Sequence, residues 1–180
     1  MKARVLLNIP KAVHQAVWRH LLPRRFVFEE AAFIYAQRRT EDDSEIFQYL
    51  DWSAVPPIGF VSRSRYHFEL TDETRASVIK RAHDLNASLV ELHSHSGIWP
   101  AQFSPSDLLG FQEFVPHVWW RLKRRPYLAL VISSSSFDGF VWTTNPNTPR
   151  RLDGIVVEKL AFTPTKLSPL RYNFHDDNKI

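Results

Sequence analysis

The sequence predicts a single α/β (α+β) domain in which helices flank a largely antiparallel or mixed β-sheet. The chain has 180 residues, the size of one ordinary domain. Hydrophobic residues make up 44% and charged residues 23%, which is enough to bury a core and outside the disordered range. Its segments alternate in kind (helix, strands, helix, strand, helix, strands), with no repeat and no linker to divide them. Thirteen Phe and six Trp make the expected core rich in aromatic rings.

The segment NIPKAVHQAVWRHLLP predicts an opening helix, with Asn8 as cap, Pro10 in the first turn and Val13, Val17 and Leu21 on one face; Pro23 stops it. RFVFEEAAFIYAQ follows as a strand interrupted by Glu29 and Glu30. An acidic turn, EDDSE at 41–45, leads to the strand EIFQYLDWSAV. IGFVSRSRYHFEL alternates well enough to predict one further strand, with Val61, Arg63, Arg65 and His67 on one side and Phe60, Tyr66 and Phe68 on the other. TDETRASVIKRAHDLN is the clearest helix. Thr71 or Asp72 caps it, acids fill its first turn, Val78, Ala82 and Leu85 form its apolar stripe, and Asn86 ends it. ASLVELHSH is a short apolar strand. SPSDLLGFQEFVPHVWWRL is helical, with Ser104 at the cap, Pro105 at the first helical position and Pro116 expected to bend or interrupt it. PYLALVIS and FDGFVWT form a hairpin through the serine run 133–136, NPNTPRR is a loop, and LDGIVVEKLAFTP is a last strand. The domain is expected to span 1–163, with a loosely attached tail at 164–180.

Composition narrows the function. The formal charge is +4 and the isoelectric point near 9.5. The basic clusters (Arg24-Arg25, Arg38-Arg39, Lys123-Arg124-Arg125, Arg150-Arg151) are scattered and match no nucleic-acid motif, so they read as solvated surface and no nucleic-acid partner is expected. With no cysteine, disulfides, a thiol nucleophile and thiolate zinc sites are excluded, and any metal must use His, Asp and Glu. The N-terminal apolar run is too short for a signal peptide. No window approaches the ~18 apolar residues of a spanning helix. A cytoplasmic protein without a membrane partner is expected.

One stretch carries chemistry: HSHSGIWPAQFSPSD, residues 93–107. Residues two apart on a strand share a face, so His93 and His95 project together. Asp107 falls in the first turn of the next helix, and the loop 96–103 is long enough to return it to the same point. Two imidazoles and one carboxylate suit a divalent ion and leave one tetrahedral position open, as in catalytic rather than structural zinc sites. Taken singly, His-x-His on a strand is commonly incidental, and Ser-Pro-x-Asp is an ordinary helix cap.

Taken together, these residues resemble the signature of the JAMM (JAB/MPN) metalloprotease family: His-x-His, a loop of about seven residues, Ser, two residues, Asp. The loop here is one residue longer, and Ser96 stands where the family usually has proline. EEAAFIYA, starting at Glu29, is similar to the upstream Glu-x-x-Gly-Leu-Leu-x-Gly pattern, with Ala32 and Ala36 replacing glycines; Glu30 is one residue out of phase. The resemblance spans roughly residues 10 to 142, and FVPHVWWRLKRRPYLALVISSSSFDGFVW looks like the prokaryotic branch. It implies an MPN/JAMM (cytidine deaminase-like) domain holding one Zn2+ per chain through His93, His95 and Asp107. Glu29 would be general base and Ser104 the oxyanion donor. The implied reaction is hydrolysis of the peptide or isopeptide bond after the C-terminus of a ubiquitin-like protein, beside ubiquitin-activating-like and ubiquitin-conjugating-like partners. Alternatives are a sulfur-carrier substrate, or a non-catalytic MPN scaffold; scaffolds usually lack the ligand set present here. An amidohydrolase or phosphoesterase needs more ligands than His117 and His175, the histidines left downstream.

Further residues have two readings each. Glu91 shares the face of His93 and either backs the ligands or is an ordinary surface strand residue. His67 reads as packed rather than as a strand histidine near the site, Ser94 as facing away, Trp99 as lining a substrate groove, and Trp119 and Trp120 as core. The serine run is a turn, and His175-Asp176-Asp177 belongs to a polar tail. The acidic turn 41–45 is a possible seat for a basic substrate tail.

Overall fold

The structure, a computed structural model, describes residues 3–25 and 28–170. It is a mixed α+β fold: one large mixed sheet, a small two-stranded sheet and three helices. The chain runs β1 (Arg4–Ile9), α1 (Lys11–Leu21), β2 (Ala31–Glu41), β3 (Ser44–Ala54), a 3-10 turn (Pro57–Gly59), β4 (Phe60–Arg63), β5 (Phe68–Leu70), α2 (Asp72–Asp84), β6 (Ser88–Ser94), α3 (Pro105–Arg121), β7 (Tyr127–Ile132), β8 (Phe137–Trp142), β9 (Arg150–Arg151), β10 (Gly154–Val157) and β11 (Leu160–Phe162). The nine-stranded sheet has the order β11-β10-β1-β3-β2-β6-β7-β8-β9, and β4 pairs β5 separately. The β1–β3, β1–β10 and β6–β7 pairs are parallel, and the other pairs are antiparallel.

Both sheet faces are covered. Even-numbered residues of β2 (Ala32, Ile34, Ala36) join Val90, Leu92, Leu128 and Leu130 beneath α1, which contributes Val17 and Leu21. Odd-numbered residues (Ala31, Phe33, Tyr35) join Leu89, Tyr127 and Ala129 beneath α2 and α3, which bring Val78, Ala82, Phe111 and Val115. Each such Leu, Ile or Phe leaving water contributes about 1.5–3 kcal/mol. That double burial explains why every residue of β6 and β7 is buried rather than every second one. It also puts every odd-numbered side chain of β6 on the face where α3 lies.

Several expectations need correction. Asn8 does not cap α1: it sits in β1 and donates from Nδ2 to Gln48 Oε1 at 2.9 Å, while Pro10 precedes the helix without a side-chain cap. β1, which the sequence reading does not predict, is a strand between two parallel neighbours. The expected strand 25–37 starts at Ala31, so Glu29 and Glu30 precede it; Phe26 and Val27 lie outside the described residues. IGFVSRSRYHFEL is two short strands around the turn 64–67, closed by Ser64 N donating to His67 O at 2.7 Å. The last strand is a hairpin, turning at Glu158 with φ 57°. Pro116 does not interrupt α3. Its ring removes one backbone bond, to Gln112 O, and Gln112 is exposed, so water can take that carbonyl. Trp119 is buried as expected, but Trp120 is 73% exposed. Thr71 is the cap of α2, accepting from Thr74 N at 3.1 Å.

The beginning of the tail is fastened rather than loose. Asp138, an acid in an otherwise apolar strand and fully buried, accepts from Ser168 N at 2.9 Å and Lys166 N at 3.3 Å. Thr165 Oγ1 donates to Ala101 O at 2.7 Å, and Ser168 Oγ accepts from Phe103 N at 2.9 Å. Residues 165–168 thus form a strap over the loop between β6 and α3. His175-Asp176-Asp177 lie outside the described residues. Asp138→Asn turns one buried acceptor into a donor facing backbone N–H groups. It is expected to lower unfolding free energy by about 2 kcal/mol in urea titration; an unchanged midpoint would show that the strap contributes nothing.

Candidate metal centre

The centre is assembled by the pairing of β2 with β6. Ala31 stands opposite His93, in antiparallel register. One pair further on, Ser94 N donates to Glu30 O at 3.0 Å and Glu30 N donates to Ser94 Oγ at 3.0 Å. Opposite residues share a face, so Glu29 follows Ala31 to the side of His93 and His95, and Glu30 goes with Ser94 to the other. The side chains obey. Glu29 is 2% exposed, with Oε1 3.7 Å from His95 Nε2. Its backbone N–H is held by Ser64 O at 2.7 Å. Glu30 instead pairs with Arg63 at 2.7 Å. Ser94 faces away from the histidines, as expected.

Asp107 arrives from α3. Ser104 caps the helix, accepting from Asp107 N at 3.2 Å, while Asp107 Oδ2 accepts from Ser104 N at 2.7 Å and from Ser104 Oγ at 2.8 Å. This capping box locks the carboxylate at the third helical position. The same Oδ2 lies 3.2 Å from His95 Nε2 and 3.5 Å from His93 Nε2. The three groups offer ligand atoms within 4.8 Å of one another. Tetrahedral ligands at 2.0–2.1 Å from zinc stand about 3.4 Å apart, so the two measured separations suit such an ion. A second observation agrees: both ring nitrogens of His93 are buried without a hydrogen-bond partner, a condition proteins rarely leave unanswered. The residues therefore fit a divalent metal.

The loop joining the ligands is pinned at both ends. Gly97 takes φ 115°, a region open to glycine at no steric cost. Ser96 Oγ donates to Arg65 O at 2.9 Å, and Ala101 N donates to Ser136 Oγ at 2.8 Å, which gives the serine turn a structural task. Between these anchors Ile98 and Trp99 stand out into solvent, 87% and 77% exposed. Phe68 and Phe103 flank the His93 ring, with centroids at 5.5 and 5.9 Å.

Charge is concentrated and shielded. Burial works against charge on His93, but Asp107 and Glu91 outweigh it and lift its pKa to about 10. Burial also raises Asp107, yet the two histidines prevail and hold it well below the usual carboxylate range. Burial lifts Glu29 above an ordinary glutamate, with His93 and His95 offsetting part of the effect. Glu91 is 8% exposed, with Oε1 3.7 Å from His93 Nδ1, so it lies behind His93 rather than on the surface. His67 is exposed, not packed, and its Nδ1 lies 3.3 Å from Ser106 Oγ. His117 is exposed on α3 and joins no cluster. The acidic turn is misplaced for a substrate tail: it lies at the Glu41 end of β2, ten residues from Ala31, or about 33 Å along the strand. Tyr127, which also reaches this centre, went unnoticed in the sequence because it reads as one more apolar strand residue.

No protein-family profile and no curated protein matches the chain. Among solved structures it is similar to the solution structure of a protein from Salinibacter ruber (strain DSM 13855), at 16% identity and a TM-score of 0.42, covering 93% of this chain and 97% of that one. Among the described residues, no helix is long and apolar enough to cross a membrane.

Without metal, His93 and Asp107 form a buried ion pair with a definite pH signature. The His93 contribution is whole below its unfolded value of 6.5 and is lost as pH rises through about 10. The Asp107 contribution is present above its unfolded value of 3.8 and is lost at lower pH. Chelator-treated protein should therefore lose thermal stability on going from pH 6.5 to 10, and His93→Gln should flatten that limb. Parallel alkaline slopes in the two proteins would contradict the pairing.

Proposed function

We propose that the protein is a JAMM-type zinc metallopeptidase that hydrolyses the peptide or isopeptide bond following the C-terminus of a ubiquitin-like protein. The observation that carries this reading is the convergence of Glu29 with His93, His95 and Asp107 at one end of the β2–β6 pair. In that arrangement His93 Nε2, His95 Nε2 and Asp107 would hold the ion. Zinc bound there would supply Lewis acidity, polarising the scissile carbonyl and lowering the pKa of water.

The chain's own groups have these tasks. Glu29 takes a proton from the attacking water and passes it to the departing amine; burial, which raises its pKa, suits a group that must hold a proton briefly. Ser104 Oγ hydrogen-bonds the carbonyl oxygen as negative charge develops on it. To do so its hydroxyl proton must turn away from Asp107 Oδ2, which keeps the bond from Ser104 N. Exposed Ile98 and Trp99 beside the ligands offer apolar contact to a protein substrate. The ubiquitin-activating-like and ubiquitin-conjugating-like partners rest on the sequence resemblance alone.

Purified wild type should contain about one zinc per chain by elemental analysis, and the His93→Ala/His95→Ala variant none. A metal-free wild type that also fails to take up added zinc would defeat the reading. Glu29→Gln should keep zinc and lose cleavage of ubiquitin-like fusions by at least ~100-fold, whereas Glu30→Gln, on the far face, should cleave normally. Retained cleavage in Glu29→Gln would remove Glu29 from the mechanism.

A further inference from the structure

Behind His93 lies a buried polar pair that the proposed reaction does not use directly. Tyr127 is fully buried in β7, its ring set edge-on between Phe114 at 6.1 Å and Trp142 at 5.7 Å. Packing on both sides fixes where its hydroxyl points, and a buried hydroxyl needs a partner. It donates to Glu91 Oε2 in a short hydrogen bond. The other oxygen, Oε1, is thereby aimed at His93 Nδ1, 3.7 Å away. On the opposite side of the same ring, Nε2 faces Asp107 at 3.5 Å and the point where the ligand atoms converge. The histidine ring thus lies between two carboxylates, one on each nitrogen.

We propose that Tyr127 and Glu91 act as a positioning pair: the tyrosine orients Glu91, and Glu91 holds the proton of His93 on Nδ1, leaving the Nε2 lone pair for the metal. This inference rests on the metal-centre reading above and adds to it two residues that touch neither ion nor substrate. The alternative is that Glu91 merely satisfies the buried tyrosine hydroxyl. That alternative gives no reason for a buried carboxylate where glutamine or serine would accept the same bond. An imidazole free to choose either tautomer would present the wrong nitrogen part of the time. A carboxylate accepts only, so it selects the Nδ1–H form; glutamine can donate as well and selects nothing.

The test separates the two roles. Glu91→Gln keeps the shape and an acceptor for Tyr127, and Tyr127→Phe keeps the packed ring. Zinc affinity is measured by competition with a chromogenic chelator, and the His93 tautomer by long-range 1H–15N spectra of the zinc-loaded protein. Glu91→Gln should weaken zinc binding about 10- to 100-fold, with a loss of the pure Nδ1–H pattern at His93. Tyr127→Phe should change both in the same direction by a smaller factor, and it decides the matter alone if Glu91→Gln does not fold. Affinities within about twofold of wild type, with an unaltered His93 pattern, would overturn the positioning pair while leaving the metal centre standing. A wild type that binds no zinc would overturn both together.

Discussion

The register between β2 and β6 is the constraint on which the rest depends. With Ala31 opposite His93, the period-2 alternation of both strands puts Glu29, Glu91, His93 and His95 on the face that receives α3. A slip of β2 by one residue against β6 would turn Glu29 toward α1 and bring Glu30 to the histidines instead. Such a slip is opposed by the core itself. It would also exchange the apolar sets beneath α1 and beneath α2 and α3, and these differ in shape: Phe33 and Tyr35 on one side, Ile34 and Ala36 on the other. Packing at the middle of the strands therefore fixes chemistry at their ends.

Asp107 connects the helix to that chemistry. Its carboxylate closes the capping box of α3 and faces both histidines with the same oxygen. Helix formation thus delivers the ligand, and the ligand's charge favours the N-terminus of the helix that delivers it. His93 is a different matter. Its two nitrogens have no partner at hydrogen-bond distance, only the carboxylates of Asp107 at 3.5 Å and Glu91 at 3.7 Å. Its neutral form lacks that charge pairing and leaves buried atoms unbonded, at about 1–3 kcal/mol, a gap that an ion at Nε2 would fill.

Much of this was legible in the sequence where the signal is local. Thr71 and Ser104 act as caps because their positions follow from spacing to the first apolar turn. His93 and His95 share a side because strand parity needs no tertiary knowledge. What could not be read was long-range. β1 is not predicted, because a six-residue strand lying between parallel partners carries no turn signal of its own. IGFVSRSRYHFEL alternated like one strand, yet it folds at Ser64–His67, a turn with neither Gly nor Pro to mark it. The choice between Glu29 and Glu30 becomes physical only once the partner strand is known. Tyr127 carries no local signal, since only the fold sets its hydroxyl against Glu91. Asp138 in FDGFVW did carry a signal: an acid inside a buried strand must have partners somewhere.

The strap at 165–168 has a consequence for how the chain is made. Its bond to Phe103 joins residues 65 apart in sequence, and its bond to Ala101 joins residues 64 apart. A ribosome delivers the histidines, the loop and Asp107 well before it delivers Thr165 and Ser168. Until then the loop carrying Trp99 lacks its fastening to residues 165–168. The last stretch of chain to emerge completes the hold on the loop that leads to Asp107.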